Sequence, residues 1–348
     1  MRSVIRRLLL GLLIVVGLLV LLGVFATLLI DPSSRASSLP WRVEEPGLSR
    51  FVSVPLTGTD GVEIHYIEAP GPDDANAPAF VLLHGFTFNA FTWKAQMPRL
   101  SGLGRTLAPD QIPYGLSEKL VATDWRDTNP YAREAAVAQV LAFMDALGVD
   151  RAILVGNSSG GTLALEVALA DPQRVAGLVL VAPWVYVRRP VFPTFIADSL
   201  PMRRLSLLIA RRLGSDGGLL EFSYADPSRI GAERRRLAAL HTRVRNWDLA
   251  WAELLTRSLS TPVEVSARLE EVRQPVLVVS GDADRLVPLD DSRQVADRLP
   301  RASFEIVSDC GHVPHEECPE RFGEILERWL RGDGDGSEQA ASDPGLGP

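Results

Sequence analysis

The stretch Ala152-Ile153-Leu154-Val155-Gly156-Asn157-Ser158-Ser159-Gly160-Gly161-Thr162-Leu163-Ala164-Leu165-Glu166 decides the fold. Its first four residues are an uninterrupted apolar run, the pattern of a parallel strand buried on both faces. The run from Gly161 to Glu166 reads as a helix, so a sharp strand-to-helix turn lies between them. Such a turn leaves no room for β-carbons two residues to either side of its apex. That requirement fixes the frame. Ser158 has glycine at both −2 and +2, whereas Ser159 has Asn157 at −2. Ser158 is therefore the expected nucleophile, and Ser159 the expected supplier of a backbone N–H.

Outward from this turn the pattern repeats. Phe51 to Val54 and Val62 to Ile67 flank a Gly/Thr/Asp turn and read as an opening antiparallel pair. Ala79 to Leu83, Gly177 to Val181 and Val276 to Ser280 are further short apolar runs, separated mostly by helical stretches at Tyr131 to Leu147, Gly160 to Ala170, Ser292 to Leu299 and Pro319 to Leu330. Strands alternating with helices predict an α/β fold with a mostly parallel, doubly wound sheet and a site at the carboxyl ends of its strands. Between Ala182 and Pro275 the alternation lapses into Arg-rich, helix-prone sequence with Trp184, Trp247 and Trp251. This predicts a helical lid over about residues 183–275. Its arginines are read as a solvated face balanced by Glu221, Glu233, Glu253, Glu264 and Glu270.

A serine hydroxyl is a poor nucleophile until a base takes its proton. Of five histidines, His312 is the expected base, because Cys310-Gly311-His312-Val313-Pro314 follows the strand-like Phe304 to Val307. His315 is the runner-up, while His65 falls in the opening hairpin and His241 in the lid. For the orienting acid, Val276 to Ser280 runs into Gly281-Asp282-Ala283-Asp284, which puts two aspartates at a strand's carboxyl end.

Here the sequence resembles the α/β-hydrolase fold family over roughly Phe51 to Arg331. That family's acid loop, Gly-x-x-Asp with Pro four residues on, implies Asp284, and the order Ser158, Asp284, His312 is the family's own. The resemblance extends to His84-Gly85-Phe86 after Ala79 to Leu83. It implies that the backbone N–H groups of Phe86 and Ser159 hold the oxyanion, with His84 a structural hydrogen-bonder. One departure falls in Asp110-Gln111-Ile112-Pro113-Tyr114-Gly115-Leu116-Ser117, where relatives carry glycine in place of Pro113. Proline fixes φ near −65°, so a left-handed turn is excluded there and the local pocket wall should differ.

A serine nucleophile excludes the carboxylate-dependent dehalogenase and epoxide hydrolase branches. The expected chemistry is hydrolysis of a carboxylic ester or lipid-like substrate, small and hydrophobic, through an acyl-enzyme. The Gly-Asn-Ser-x-Gly-Gly string also looks like the elbow of carbon–carbon bond hydrolases acting on ring-cleavage products, although Val313 stands where many of those have Trp. A third class is a binding protein on a hydrolase scaffold, against which stands the retention of every triad member. No organic cofactor or metal is implied.

The 348 residues are 46% hydrophobic and 23% charged, with a net charge of −7, so no basic surface points to nucleic acid. The two cysteines, Cys310 and Cys318, are expected to be separate thiols. Leu8 to Ile30 holds no charge, and as a helix would be roughly 35 Å long, enough to span a bilayer. Arg2, Arg6 and Arg7 place residues 1–7 in the cytoplasm and the body outside. The expected order is then a transmembrane helix at 8–30, a linker at 31–48, the hydrolase domain at 49–331 and a disordered tail at 332–348. Oligomeric state is not legible.

Overall fold

Alternation along a strand sends Ala152 and Leu154 to one face of the sheet and Ile153 and Val155 to the other, and all four are buried. The reason is a layer of apolar side chains on each face. Leu154 packs with Phe143, Leu163 and Val167, whereas Ile153 and Val155 join Phe91, Trp93, Phe322 and Leu326. A computed structural model describes residues 17, 21–35, 49–74, 77–186, 189–215 and 219–332.

Eight strands make one sheet: β1 (Ser49–Val54), β2 (Val62–Ala69), β3 (Ala79–Leu83), β4 (Arg105–Pro109), β5 (Ala152–Asn157), β6 (Val175–Val181), β7 (Val276–Gly281) and β8 (Ala302–Val307). Their spatial order is β1-β2-β4-β3-β5-β6-β7-β8. The β1–β2 and β2–β4 pairs are antiparallel, and every other pair is parallel. From β1 onward the described α-helices are α1 (Met97–Ser101), α2 (Arg133–Ala146), α3 (Ser159–Ala170), α4 (Thr194–Ala197), α5 (Leu200–Ser215), α6 (Leu220–Ser223), α7 (Ala232–Ala238), α8 (Trp247–Ser258), α9 (Leu289–Arg298), α10 (Pro314–Glu317) and α11 (Pro319–Arg331). The mostly parallel α/β sheet expected from the sequence is thus present.

The chain leaves the sheet after β6 and carries α4 to α8 before returning at β7. Trp247 and Trp251 are both buried. They pack with Leu207 and Ala210 of the lid and with Tyr114 of the loop after β4, so this cluster seats the lid on the body. Several lid arginines are paired, Arg203 with Glu253 and Arg235 with Glu221, as expected of a balanced surface. Arg211 is different: it is buried against Asp248, Nε to Oδ2 2.9 Å. The Arg211 guanidinium also donates to the carbonyls of Asp31 and Ser33, and Asp248 accepts from Ser34 Oγ and Arg35 N. The first part of the expected linker is therefore docked on the lid rather than loose.

Most of the expected span at 8–30 lies outside the described residues, as do 36–48 of the linker and 333–348 of the tail. Residues 21–28 are helical, with Leu21, Leu22, Phe25 and Leu29 exposed nearby. Among the described residues no helix is long and apolar enough to cross a membrane.

Candidate active site

The turn between β5 and α3 is built as its glycines require. A β-carbon on Gly156 would overlap the Gly160 carbonyl, and one on Gly160 would overlap the carbonyls of Leu83 and His84. Ser158 sits at φ +54° and ψ −118°, a conformation that costs an L-residue about 1–3 kcal/mol. It is held there by its N–H to the Val181 carbonyl (2.9 Å) and by its own carbonyl, which accepts from Gly161, Thr162 and Trp184. The strain lifts the side chain out of both strand and helix.

His312 lies between β8 and α10, its N–H anchored on the Ser223 carbonyl at 2.7 Å. Its Nδ1 is 2.8 Å from Asp284 Oδ2. The other carboxylate oxygen, Oδ1, accepts the N–H groups of Leu286 (2.7 Å) and Val287 (3.0 Å), so both oxygens are committed. Asp282 is exposed, and the choice between the two aspartates follows the geometry. With Asp284 accepting at Nδ1, the imidazole carries its proton there and presents a bare Nε2. Ser158 and His312 line one cleft of about 160 Å³, together with Gly85, Phe86 and Trp184. Phe86 and Trp184 also border a neighbouring cavity of about 400 Å³ that includes Ser159. The structure thus brings Ser158, Asp284, His312, Phe86 and Ser159 to one end of the sheet.

The other histidines are occupied elsewhere. His315 is buried against Trp93, ring centroids 4.1 Å apart, and burial pushes its pKa down to about 3, which keeps it neutral. His241 stacks on Trp251 in the lid and is likewise pushed down to about 3 by burial. His84 hydrogen-bonds the Gly85 carbonyl through Nδ1 (2.8 Å) and accepts from Gln111 N through Nε2 (3.1 Å), so it shapes the Gly85–Phe86 turn as expected. His65 pairs with Asp110 at 2.7 Å. Burial favours the neutral carboxyl of Asp110, but His65 and the N–H of Ala90 outweigh it and hold the pKa at about 2. Among the described residues no group of His, Cys, Asp or Glu is arranged to hold a metal ion.

Three features of the site were not read from the sequence. Asn157 is buried and its amide spans the carbonyls of Val181 (3.1 Å) and His312 (3.0 Å), tying the Ser158 turn to the His312 loop. The Pro113 carbonyl accepts Trp251 Nε1 at 3.1 Å, so the loop that departs from the family pattern seats the lid. Cys310 and Cys318 form a disulfide, which corrects the expectation of separate thiols. The short α10 doubles the chain back and brings their Cα atoms to 6.4 Å, within bridging range.

The match to known proteins follows these residues. Residues 80–325 fit the model of the Alpha/beta hydrolase family. The chain belongs to that family. This alpha/beta hydrolase is 31% identical over 256 residues to a 2-hydroxymuconate semialdehyde hydrolase of Pseudomonas sp. (strain CF600), covering 68% of this chain and 80% of the relative. It is 29% identical to a putative carbamate hydrolase of Caulobacter sp. (strain K31), over 77% of this chain and 96% of that one. Among solved structures it resembles a bacterial membrane phospholipase A at 25% identity and a TM-score of 0.62, covering 95% of this hydrolase and 99% of that chain.

Proposed function

We propose that this hydrolase cleaves a carboxylic ester or lipid-like acyl substrate through an acyl-enzyme on Ser158. The observation that carries the proposal is the shared cleft of Ser158 and His312, with His312 Nδ1 bound to Asp284. Ser158 Oγ attacks the ester carbonyl carbon as its proton passes to His312 Nε2, and the N–H groups of Phe86 and Ser159 receive the oxyanion. Collapse expels the alcohol, which takes the proton from His312. Water, deprotonated by the same nitrogen, then releases the acid and restores Ser158.

A second reading, carbon–carbon bond hydrolysis of a ring-cleavage product, is favoured by the likeness to a 2-hydroxymuconate semialdehyde hydrolase. Full-length protein in detergent, wild type beside Ser158→Ala, separates the two. Turnover of p-nitrophenyl esters that falls by several orders of magnitude in the variant supports the ester reading. Turnover of a 2-hydroxymuconate semialdehyde with inert esters supports the other.

In the same proposal residues 8–30 anchor the protein in a membrane, with 31–48 leading to a catalytic domain at 49–331 outside the cytoplasm and 332–348 trailing from it. The uncharged run, the flanking Arg2, Arg6 and Arg7 and the likeness to a membrane phospholipase A support this. Carbonate-washed membranes should retain the chain, and protease added outside spheroplasts should digest its body. Recovery in the wash would sink the anchor, and a protected body would reverse the orientation.

A further inference from the structure

The cavity of about 400 Å³ beyond Phe86 and Ser159 is walled mainly by apolar side chains, yet three arginines and one acid border it: Arg133, Arg189, Arg257 and Glu166. Three of these four are accounted for. Arg133 Nε lies 2.6 Å from Glu166 Oε1. Arg257 is paired with Asp198 and approaches Glu253 at 3.6 Å. Arg189 stands apart. Its Nη2 donates to the Thr261 carbonyl at 2.7 Å, its Nη1 is buried with no hydrogen-bond partner, and among the described residues no carboxylate pairs with it. Burial alone lowers its pKa, with no acid to offset that cost. A half-buried guanidinium left unpaired is unfavourable unless something supplies the missing charge. Among the arginines that border the cavity, Arg189 is thus the one with no carboxylate beside it among the described residues.

We propose that Arg189 binds the carboxylate of a substrate whose apolar chain runs from the reacting carbonyl past Phe86 into this cavity. The substrate class is an ester of a dicarboxylic acid, apolar along its length and anionic at its far end. A guanidinium suits a carboxylate because its planar fork can meet both oxygens. The apolar walls accept the methylenes between. This rests on the ester reading above and narrows it.

The test compares p-nitrophenyl monoesters of dicarboxylic acids of four to ten carbons with neutral p-nitrophenyl esters of equal length, in detergent with full-length protein. Wild type should favour the anionic series at some length by about 10- to 100-fold in kcat/KM, expressed mainly in KM, as one charged hydrogen-bonded contact allows. Arg189→Gln should erase that ratio, and Arg189→Lys should restore part of it, because charge returns without the fork. Should Arg189→Gln fail to fold, the fall in the ratio for Arg189→Lys carries the test. The proposal is overturned by a wild type indifferent to the carboxylate at every length, or by a ratio that survives in the variants. If no ester turns over, calorimetry of Ser158→Ala with the free dicarboxylates, with and without Arg189→Gln, still decides it. Binding that needs Arg189 upholds the subsite though the ester reading fails, and absence of binding overturns it.

Discussion

Replacing Asp284 with asparagine should do more than remove a charge. Asp284 Oδ1 accepts two backbone N–H groups, from Leu286 at 2.7 Å and Val287 at 3.0 Å, and those donors need an oxygen opposite them. The asparagine carbonyl must take that place, because the flipped amide would set N–H against N–H at a buried site. Its NH2 group then occupies the position of Oδ2, 2.8 Å from His312 Nδ1 in the native protein. A donor there forces Nδ1 to accept, so the ring proton moves to Nε2 and faces Ser158. The base is lost with the geometry intact, a change worth about 10⁴-fold in kcat, or about 5 kcal/mol of barrier. Steady-state hydrolysis of a p-nitrophenyl ester by Asp284→Asn measures it, and ¹⁵N shifts of the His312 ring report the tautomer. Asp284→Asn within about tenfold of wild type would refute the assignment of Asp284 as the group that orients the base.

Three further expectations concern stability. His241 and His315 are held neutral by burial with pKa values of about 3, so each takes a proton only on unfolding; stability present above pH 6.5 is lost as pH falls toward 3, at about 2.7 kcal/mol per unit near pH 5 for the pair. Urea titrations at pH 4.5–5.5 should show that slope, and His315→Gln should cut it by about half; an unchanged slope would mean His315 titrates freely. Gly160→Ala puts a β-carbon on the Leu83 and His84 carbonyls, so urea melts should show a loss of about 1–3 kcal/mol even though Ala is better than Gly in a helix by about 1 kcal/mol. A neutral or stabilising effect would contradict the close approach. Reduction of the disulfide, which spans a sequence separation of 8, should cost about 2–3 kcal/mol in the chain-entropy view, seen as a lower Tm in dithiothreitol that Cys310→Ala reproduces; equal Tm values would show that the bridge adds no stability.

What the sequence made legible is what local sterics and periodicity control. Gly156 is dictated by the Gly160 carbonyl four residues on, and Gly160 by the carbonyls of Leu83 and His84 at the end of β3, yet the spacing of the two glycines is enough to locate Ser158. Buried parallel strands declare themselves through uninterrupted Val, Leu and Ile. The strand Arg105–Pro109 has no such run and owes its existence to partners on both sides, β2 and β3, which only the assembled sheet supplies. The same holds for Asn157, whose two acceptors are 24 and 155 residues away in the chain. The packing of Trp247 and Trp251 was not legible because composition shows that an aromatic is present but not which side of a helix is covered. The disulfide escaped because closing it depends on the turn of α10, a path that spacing between cysteines does not specify.

The docking of residues 31–35 on Arg211 and Asp248 has a mechanical side. Among the described residues, the chain after the apolar N-terminal stretch grips the lid at 31–35 and joins the sheet at β1. Tension applied at the N-terminus is therefore borne by α5 and α8 before the strands that carry Ser158 feel it. The force path runs through the roof of the cleft, and the floor is spared.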